Sequence, residues 1–69
     1  MTIEDYRVKL GWSKARLARE ARIDPGTLSD AIAGKRIYKA TAGKIANAIS
    51  TGLGYEVTYK DIEGLNLAD

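Results

Sequence analysis

Residues 13–34 read SKARLAREARIDPGTLSDAIAG, and this stretch predicts two short helices joined by a tight turn. Leu17, Ala18 and Ala21 give its first half an apolar stripe at helical spacing, with basic residues on the other faces. Ser13 suits an N-cap, because its hydroxyl can accept a hydrogen bond from a free amide of the first turn. We therefore expect the first helix to run from the next residue to about Ala21.

The second half of the stretch restarts as a new helix. Asp24 can cap it, and Pro25 lacks only an amide hydrogen that would be unpaired in a first turn. Gly34 ends it, because glycine enters the left-handed conformation of a helix C-terminus without steric cost. The spacing predicts a helix over 25–33. Since the turn is so short, this helix must cross the first one with Ile23 between them, which defines a helix-turn-helix.

The segment LAREARIDPGTLSDAIAGK, residues 17–35, resembles the helix-turn-helix of the lambda-repressor-like regulators, also called the Xre family. The matching positions are Leu17, Ala18, Ala21, Ile23, Pro25, Thr27, Leu28, Ser29, Ile32, Gly34 and Lys35. The resemblance implies sequence-specific binding to double-stranded DNA by a transcriptional regulator, for which we expect the role of repressor. The chain is also similar to small regulators of phages and mobile elements.

The flanking sequence predicts three more helices. Thr2 and Asp5 form a capping box for a helix that ends at Gly11, and ATAGKIANAIS, residues 40–50, carries an apolar stripe at helical spacing. Thr58 begins another capping box, for a short last helix to about residue 65. Residues 35–39 are expected to form a loop and residues 66–69 to fray. The expected fold is therefore all-α, a compact bundle of five short helices in one domain, residues 1–69.

Two apolar features leave alternatives open. Trp12 is expected to anchor the core beside the motif, since a lone Trp in so small a domain more often packs than binds. In the tail, Ile62, Leu65 and Leu67 either close the core of the monomer or form the interface of a homodimer on DNA.

The composition excludes several classes of function. The chain has no Cys and no His, which removes disulfides, thiolate chemistry, imidazole bases and the commonest zinc sites. Neither a catalytic constellation nor a motif for a cofactor, a metal or a small-molecule ligand is recognisable. The apolar runs are shorter than the roughly 20 residues of a membrane span, and no signal pattern is present. We expect a cytoplasmic protein that is not an enzyme.

Positive charge is concentrated around the motif. The formal net charge is only +2, but residues 7–44 contain ten Lys or Arg against three Asp or Glu. Residues 45–69 contain one Lys against four acidic residues. A basic region on an otherwise near-neutral chain is the electrostatic pattern expected for a polyanionic partner such as DNA.

The resemblance assigns candidate DNA contacts by position. Candidates for base contact are Pro25, Gly26, Thr27 and Asp30. Thr27 can bond a base or touch a thymine methyl, whereas Asp30 either accepts from cytosine N4 or pairs with a nearby Arg. Candidates for phosphate contact are Arg7, Ser13, Lys14, Lys35, Arg36, Lys39 and Lys44.

The sequence departs from the family pattern at three places. Arg22 replaces the usual Gly of the turn, a position that often needs positive φ. Ile32 replaces a Glu that pairs in many relatives with an Arg of the first helix, matched here by Arg7, which is then free for a phosphate or pairs with Asp5 or Asp30. Pro25 and Gly26 offer no side-chain hydrogen bond to a base. They support an alternative function, a protein-interaction module of the antitoxin or adaptor kind on the same fold.

Overall fold

A computed structural model of the chain describes residues 1–68. Four α-helices form most of it: α1 is Ile3–Leu10, α2 is Lys14–Ala21, α3 is Pro25–Ile32 and α4 is Lys39–Leu53. Two short strands, β1 at Arg36–Tyr38 and β2 at Asn66–Ala68, pair with each other. A single 3-10 turn covers Tyr59–Asp61.

The first three helices begin at the caps that the sequence predicts. Thr2 Oγ1 accepts from the amide of Asp5 at 3.2 Å, and Asp5 Oδ2 accepts in return from the amide of Thr2 at 2.9 Å. Ser13 Oγ accepts from the Arg16 amide at 3.0 Å, and Asp24 Oδ2 from the Gly26 amide at 2.9 Å. Each cap satisfies a backbone donor that has no partner inside its helix.

The helix ends differ from the expected ones at two places. Helix α3 stops at Ile32, one residue early, with Ala33 as its C-cap and Gly34 in the left-handed region at φ 81°. Helix α4 extends beyond residues 40–50 at both ends. Its buried face carries Ile45 and Ile49, which pack with Leu17 and Leu28 as the largest fully buried side chains.

Residues 35–39 do not form a simple loop, and the tail does not fray through residue 68. Strands β1 and β2 pair in parallel, with Ile37 opposite Leu67. Ile37 is buried between the exposed Arg36 and Tyr38, which is the alternation of a half-buried strand. The prediction was wrong because a three-residue strand shows too little periodicity, and its partner lies about thirty residues away in the sequence.

The fifth helix is also wrong, so the fold has four α-helices and a small strand pair. The capping box does form, with the Thr58 amide donating to Asp61 Oδ2 at 2.9 Å. However, Ile62 has an extended backbone and is buried, so the helix does not continue beyond the single 3-10 turn. The chain then leaves through Gly64, at φ 84°, towards β2.

The tail covers the core of the monomer. Ser50 Oγ, on α4, accepts from the Val57 amide at 2.8 Å and donates to the Val57 carbonyl at 2.9 Å. Val57 and Ile62 are buried, and Leu65 and Leu67 pack half-buried against the core. These tail residues cover the core of the monomer, and the homodimer on DNA stays a prediction. Within residues 1–68, no helix has both the length and the apolar character to cross a membrane.

Trp12 packs half-buried against the core, as expected. Its indole ring lies against Gly52 of α4. A Cβ added at Gly52 would lie 2.7 Å from a Trp12 ring atom and 2.7 Å from Leu10 Cδ2. These distances are shorter than real Cβ contacts, so the indole and Leu10 would have to shift to admit any other residue there. Gly43, in the same helix, has open space around its would-be Cβ.

These two glycines give a matched prediction. Gly43→Ala is expected to stabilise the fold by about 0.5–1 kcal/mol, the usual gain of Ala over Gly in a helix. Gly52→Ala is expected to destabilise it by about 1–2 kcal/mol, because overpacking against the ring outweighs that gain. Urea unfolding of both variants measures the difference. Equal stabilisation by the two substitutions would contradict this packing of Trp12.

Candidate nucleic-acid interface

The turn of the helix-turn-helix contains a non-glycine residue in the left-handed region. Arg22 has φ 57° and ψ 44°, and its amide donates to the Arg19 carbonyl at 3.1 Å. The Ile23 amide donates to the Ala18 carbonyl at 3.0 Å, which closes the end of α2. Arg22 therefore adopts the positive φ expected at this position although it is not a glycine. This conformation lowers the stability of the fold by about 1 kcal/mol or more.

The turn leaves one side of α3 in the core and the other exposed. Leu28 and Ala31 are buried, whereas Pro25, Gly26 and Asp30 are exposed. Thr27 is half-buried. All four residues that the resemblance assigns to base contact thus lie on a single short helix with an open face.

The first two residues of α3, Pro25 and Gly26, carry no polar side chain, and the helix cap explains the glycine. A Cβ at Gly26 would lie 2.8 Å from Asp24 Oδ2, the oxygen that caps the helix. A glycine therefore lets the cap sit close, and with Pro25 before it this turn presents backbone rather than polar side chains. Side-chain hydrogen bonding to bases falls to Thr27 and Asp30.

Asp30 forms an ion pair with Lys35. An ion pair was the alternative to base contact that the sequence left open, although the expected partner was an Arg. Lys35 Nζ lies 3.5 Å from Asp30 Oδ1, and both side chains are more than half exposed. The Lys35 amide also donates to the Asp30 carbonyl at 2.9 Å. Exposed pairs contribute little to stability, so this one can exchange for contacts with DNA.

Most of the residues predicted to contact phosphate lie on two exposed segments. Lys14 begins α2, and the hydroxyl of Ser13 before it caps the helix. Lys35, Arg36 and Lys39 follow α3 directly and are all exposed. Lys14, Arg36 and Lys39 form no ion pair with any residue of 1–68.

Tyr38 is a feature of this surface that the sequence reasoning missed. Its side chain is 70% exposed, between Arg36 and Lys39, at the end of β1. The alternation of Arg36, Ile37 and Tyr38, with Ile37 buried, turns this side chain outward, but three residues are too few to predict it from the sequence.

Two of the predicted phosphate contacts lie elsewhere in the structure. Lys44 is on α4 and lines a groove between α2 and α4. Arg7 is held within the protein, because its Nε and Nη2 donate to Glu4 at 2.7 and 3.0 Å and its Nη1 donates to the Trp12 carbonyl at 2.8 Å. The expected partners Asp5 and Asp30 are wrong, since Asp5 caps α1 and Asp30 pairs with Lys35.

The Glu4–Arg7 pair changes the acidity of both groups. The hydrogen bonds from Arg7 lower the pKa of the Glu4 carboxyl, and those same bonds raise the pKa of Arg7. The pair lies within α1, and the hydrogen bond from Arg7 Nη1 to the Trp12 carbonyl ties α1 to the segment before α2. Ile32, at the family's usual Glu position, is instead half-buried against the core.

Comparison with known families gives one match. The family model described as helix-turn-helix matches residues 3–55, from the start of α1 to just beyond α4. The chain therefore belongs to the lambda-repressor-like, or Xre, helix-turn-helix family, whose members are DNA-binding transcription regulators and not enzymes. Comparison with curated proteins and with solved structures gave no match. The phage or mobile-element type stays a prediction.

The Glu4–Arg7 pair predicts a pH-dependent contribution to stability. Because the pKa of Glu4 is lowered on folding, the pair stabilises the fold fully above about pH 4.3, the pKa of an unfolded Glu, and that gain is lost as pH falls further. Glu4→Gln is expected to lower Tm by about 2–4 °C at pH 7 and by less at pH 3, because the lowered pKa of Glu4 is then approached.

Glu56→Gln is the control for this measurement, since Glu56 is exposed and forms no ion pair with residues 1–68. Thermal unfolding followed by circular dichroism measures all three proteins across this pH range. A Tm difference for Glu4→Gln that is the same at both pH values would contradict the ion pair.

Proposed function

We propose that this chain binds specific sequences of double-stranded DNA and represses transcription, with α3 in the major groove. The observation that carries the proposal is an exposed face of α3 followed at once by the basic segment of residues 35–39. In helix-turn-helix proteins the second helix meets base edges while flanking segments lie along the sugar-phosphate backbone. Lys14, Lys35, Arg36 and Lys39 are suited to that backbone by charge and exposure.

Direct reading of the bases is modest in this proposal. Thr27 offers a hydroxyl and a methyl group, and Asp30 offers an acceptor for the amino group of a cytosine. A free carboxylate would be repelled by phosphates, but Lys35, 3.5 Å away, offsets its charge. Pro25 and Gly26 contribute by letting the helix backbone approach the bases closely.

Affinity then depends mainly on phosphates, and two copies of the chain are needed for useful binding. One module of this size buries little DNA surface, so we propose a homodimer on a near-palindrome with half-sites about one helical turn apart. Sedimentation of the protein with and without an operator-like duplex tests whether the two copies pair.

A second function, protein binding on the same fold, is favoured by the bare first turn of α3. A module of that kind would show little salt-sensitive binding to duplex DNA. The salt dependence of binding therefore separates the two functions.

The test begins with selection of bound duplexes from a random pool, followed by affinity measurements from 50 to 200 mM salt. With four to six phosphate contacts per subunit, log K should fall against log salt with a slope of about −4 to −5. The double substitution Lys35→Ala with Arg36→Ala should weaken binding to every sequence and make the slope shallower by about 2. Thr27→Ala should keep the slope and change the preference at one or two base pairs.

The control for the double substitution is Lys9→Ala with Lys60→Ala, which removes the same charge from exposed positions outside this surface. A slope near zero for the unmodified chain would contradict DNA binding and favour the protein-binding function. If Thr27→Ala and the double substitution behaved alike, the division between base and phosphate contacts would be wrong.

A further inference from the structure

An open groove of about 530 Å³ lies between α2 and α4, on a surface that the proposed DNA contacts hardly use. None of the residues that line it belongs to α3, to β1 or to the segment 35–39. The lining residues are of three kinds: aromatic or small (Trp12, Ala21, Ala48, Gly52), charged (Arg16, Glu20, Arg22, Lys44) and neutral polar (Asn47, Thr51).

The two helices give the groove its length and its ends. Trp12, just before α2, lies over Gly52 near the end of α4, so the helices run in opposite directions and Arg22 lies towards the Lys44 end. The lining spans residues 12–22 on one side and 44–52 on the other, which corresponds to about 12–15 Å at the rise of a helix. Ala48, between these ends, keeps the floor of the groove low.

Cations lie at both ends of this groove. At one end the Arg16 guanidinium stacks over the Trp12 ring, 4.9 Å from its centroid. At the other, Arg22 and Lys44 approach from the two helices. None of the three forms an ion pair among residues 1–68, and Glu20 is the one carboxylate in the lining. Cations in a concave surface give a stronger local potential than the same charges on a convex one.

We propose that this groove binds an acidic peptide segment of a partner protein. Carboxylates at the two ends of the segment would pair with Arg16 and with Arg22 and Lys44, while aliphatic side chains between them cover Ala48 and the edge of the indole. Charge complementarity selects an acidic occupant, and cations at both ends favour an extended chain over a small anion. The lining residues lie outside α3 and residues 35–39, so the surface proposed for DNA does not use this groove.

The protein carries its own reporter for this site, because Trp12 is the only Trp of the chain. The probe is acetyl-Glu-Glu-Leu-Leu-Glu-Glu-amide, and its counterpart with Gln for every Glu is the control peptide. The acidic peptide should shift the indole N–H resonance saturably and change Trp12 fluorescence, whereas the control peptide should leave both unchanged. Equal shifts by the two peptides, or none by the acidic one, would overturn the proposal.

Two charge reversals on α2 provide a matched pair of variants. Arg16→Glu is expected to weaken binding of the acidic peptide about tenfold, because an attraction becomes a repulsion. Arg19→Glu makes the same change of charge at an exposed position outside the lining and should weaken it less than twofold. Anisotropy of a labelled peptide gives the affinities independently of Trp12. If circular dichroism shows that Arg16→Glu is unfolded, Thr51→Glu serves as a second variant of the groove.

The remaining outcomes concern other occupants of the groove. Equal weakening by Arg16→Glu and Arg19→Glu would show attraction to net charge and overturn the proposal. The proposal would also be overturned if a selected duplex competed with the peptide and if Arg16→Glu, but not Arg19→Glu, lost duplex binding. The groove would then belong to the DNA interface. A Trp12 shift that follows protein concentration without peptide would assign the groove to a second copy. The peptide measurements require no DNA, so their failure is distinct from failure of the DNA-binding proposal.

Discussion

The left-handed backbone at Arg22 is the constraint on which the rest of the structure depends. It ends α2 after Ala21 and turns the chain within three residues, so that Asp24 can cap α3 at a new angle. The cost of that conformation is offset by the hydrogen bond from the Ile23 amide to Ala18 and by burial of Leu28. Once Leu28 is in the core, the opposite side of α3 has to face solvent. The exposed face of α3 thus follows from the backbone conformation of one residue in the turn.

A second consequence concerns the basic segment after α3. Residues 66–68 pair with β1, and the Asn66 side chain donates to the Gly34 carbonyl at 3.4 Å. This pairing fixes the backbone that carries Arg36 and Tyr38 instead of leaving it as a free loop. Under the proposed function, ordering this backbone before binding reduces the entropy that is lost when the segment contacts phosphates. A tail far away in the sequence therefore orders a surface next to α3.

The sequence predicts the parts of this fold that local chemistry decides. The caps at Thr2, Ser13 and Asp24 and the apolar stripe of α4 are local signals, and the structure has helices at each of them. The strand pair depends on a contact between Ile37 and Leu67, which no window of neighbouring residues contains. The partners of Arg7 and Asp30 lie within five residues of them in the sequence, but competition among several nearby groups decides which partner each one takes. The groove between α2 and α4 likewise exists only once the two helices are packed.

The central claim is that α3 and the basic segment after it form the surface that meets DNA. Backbone amide chemical shifts, recorded by NMR while a duplex from the random-pool selection is added, test it most directly. The largest changes are expected over residues 25–30 and 35–39, with the Trp12 indole N–H unmoved. Changes centred instead on α1 or on the groove between α2 and α4, with α3 unaffected, would contradict the account.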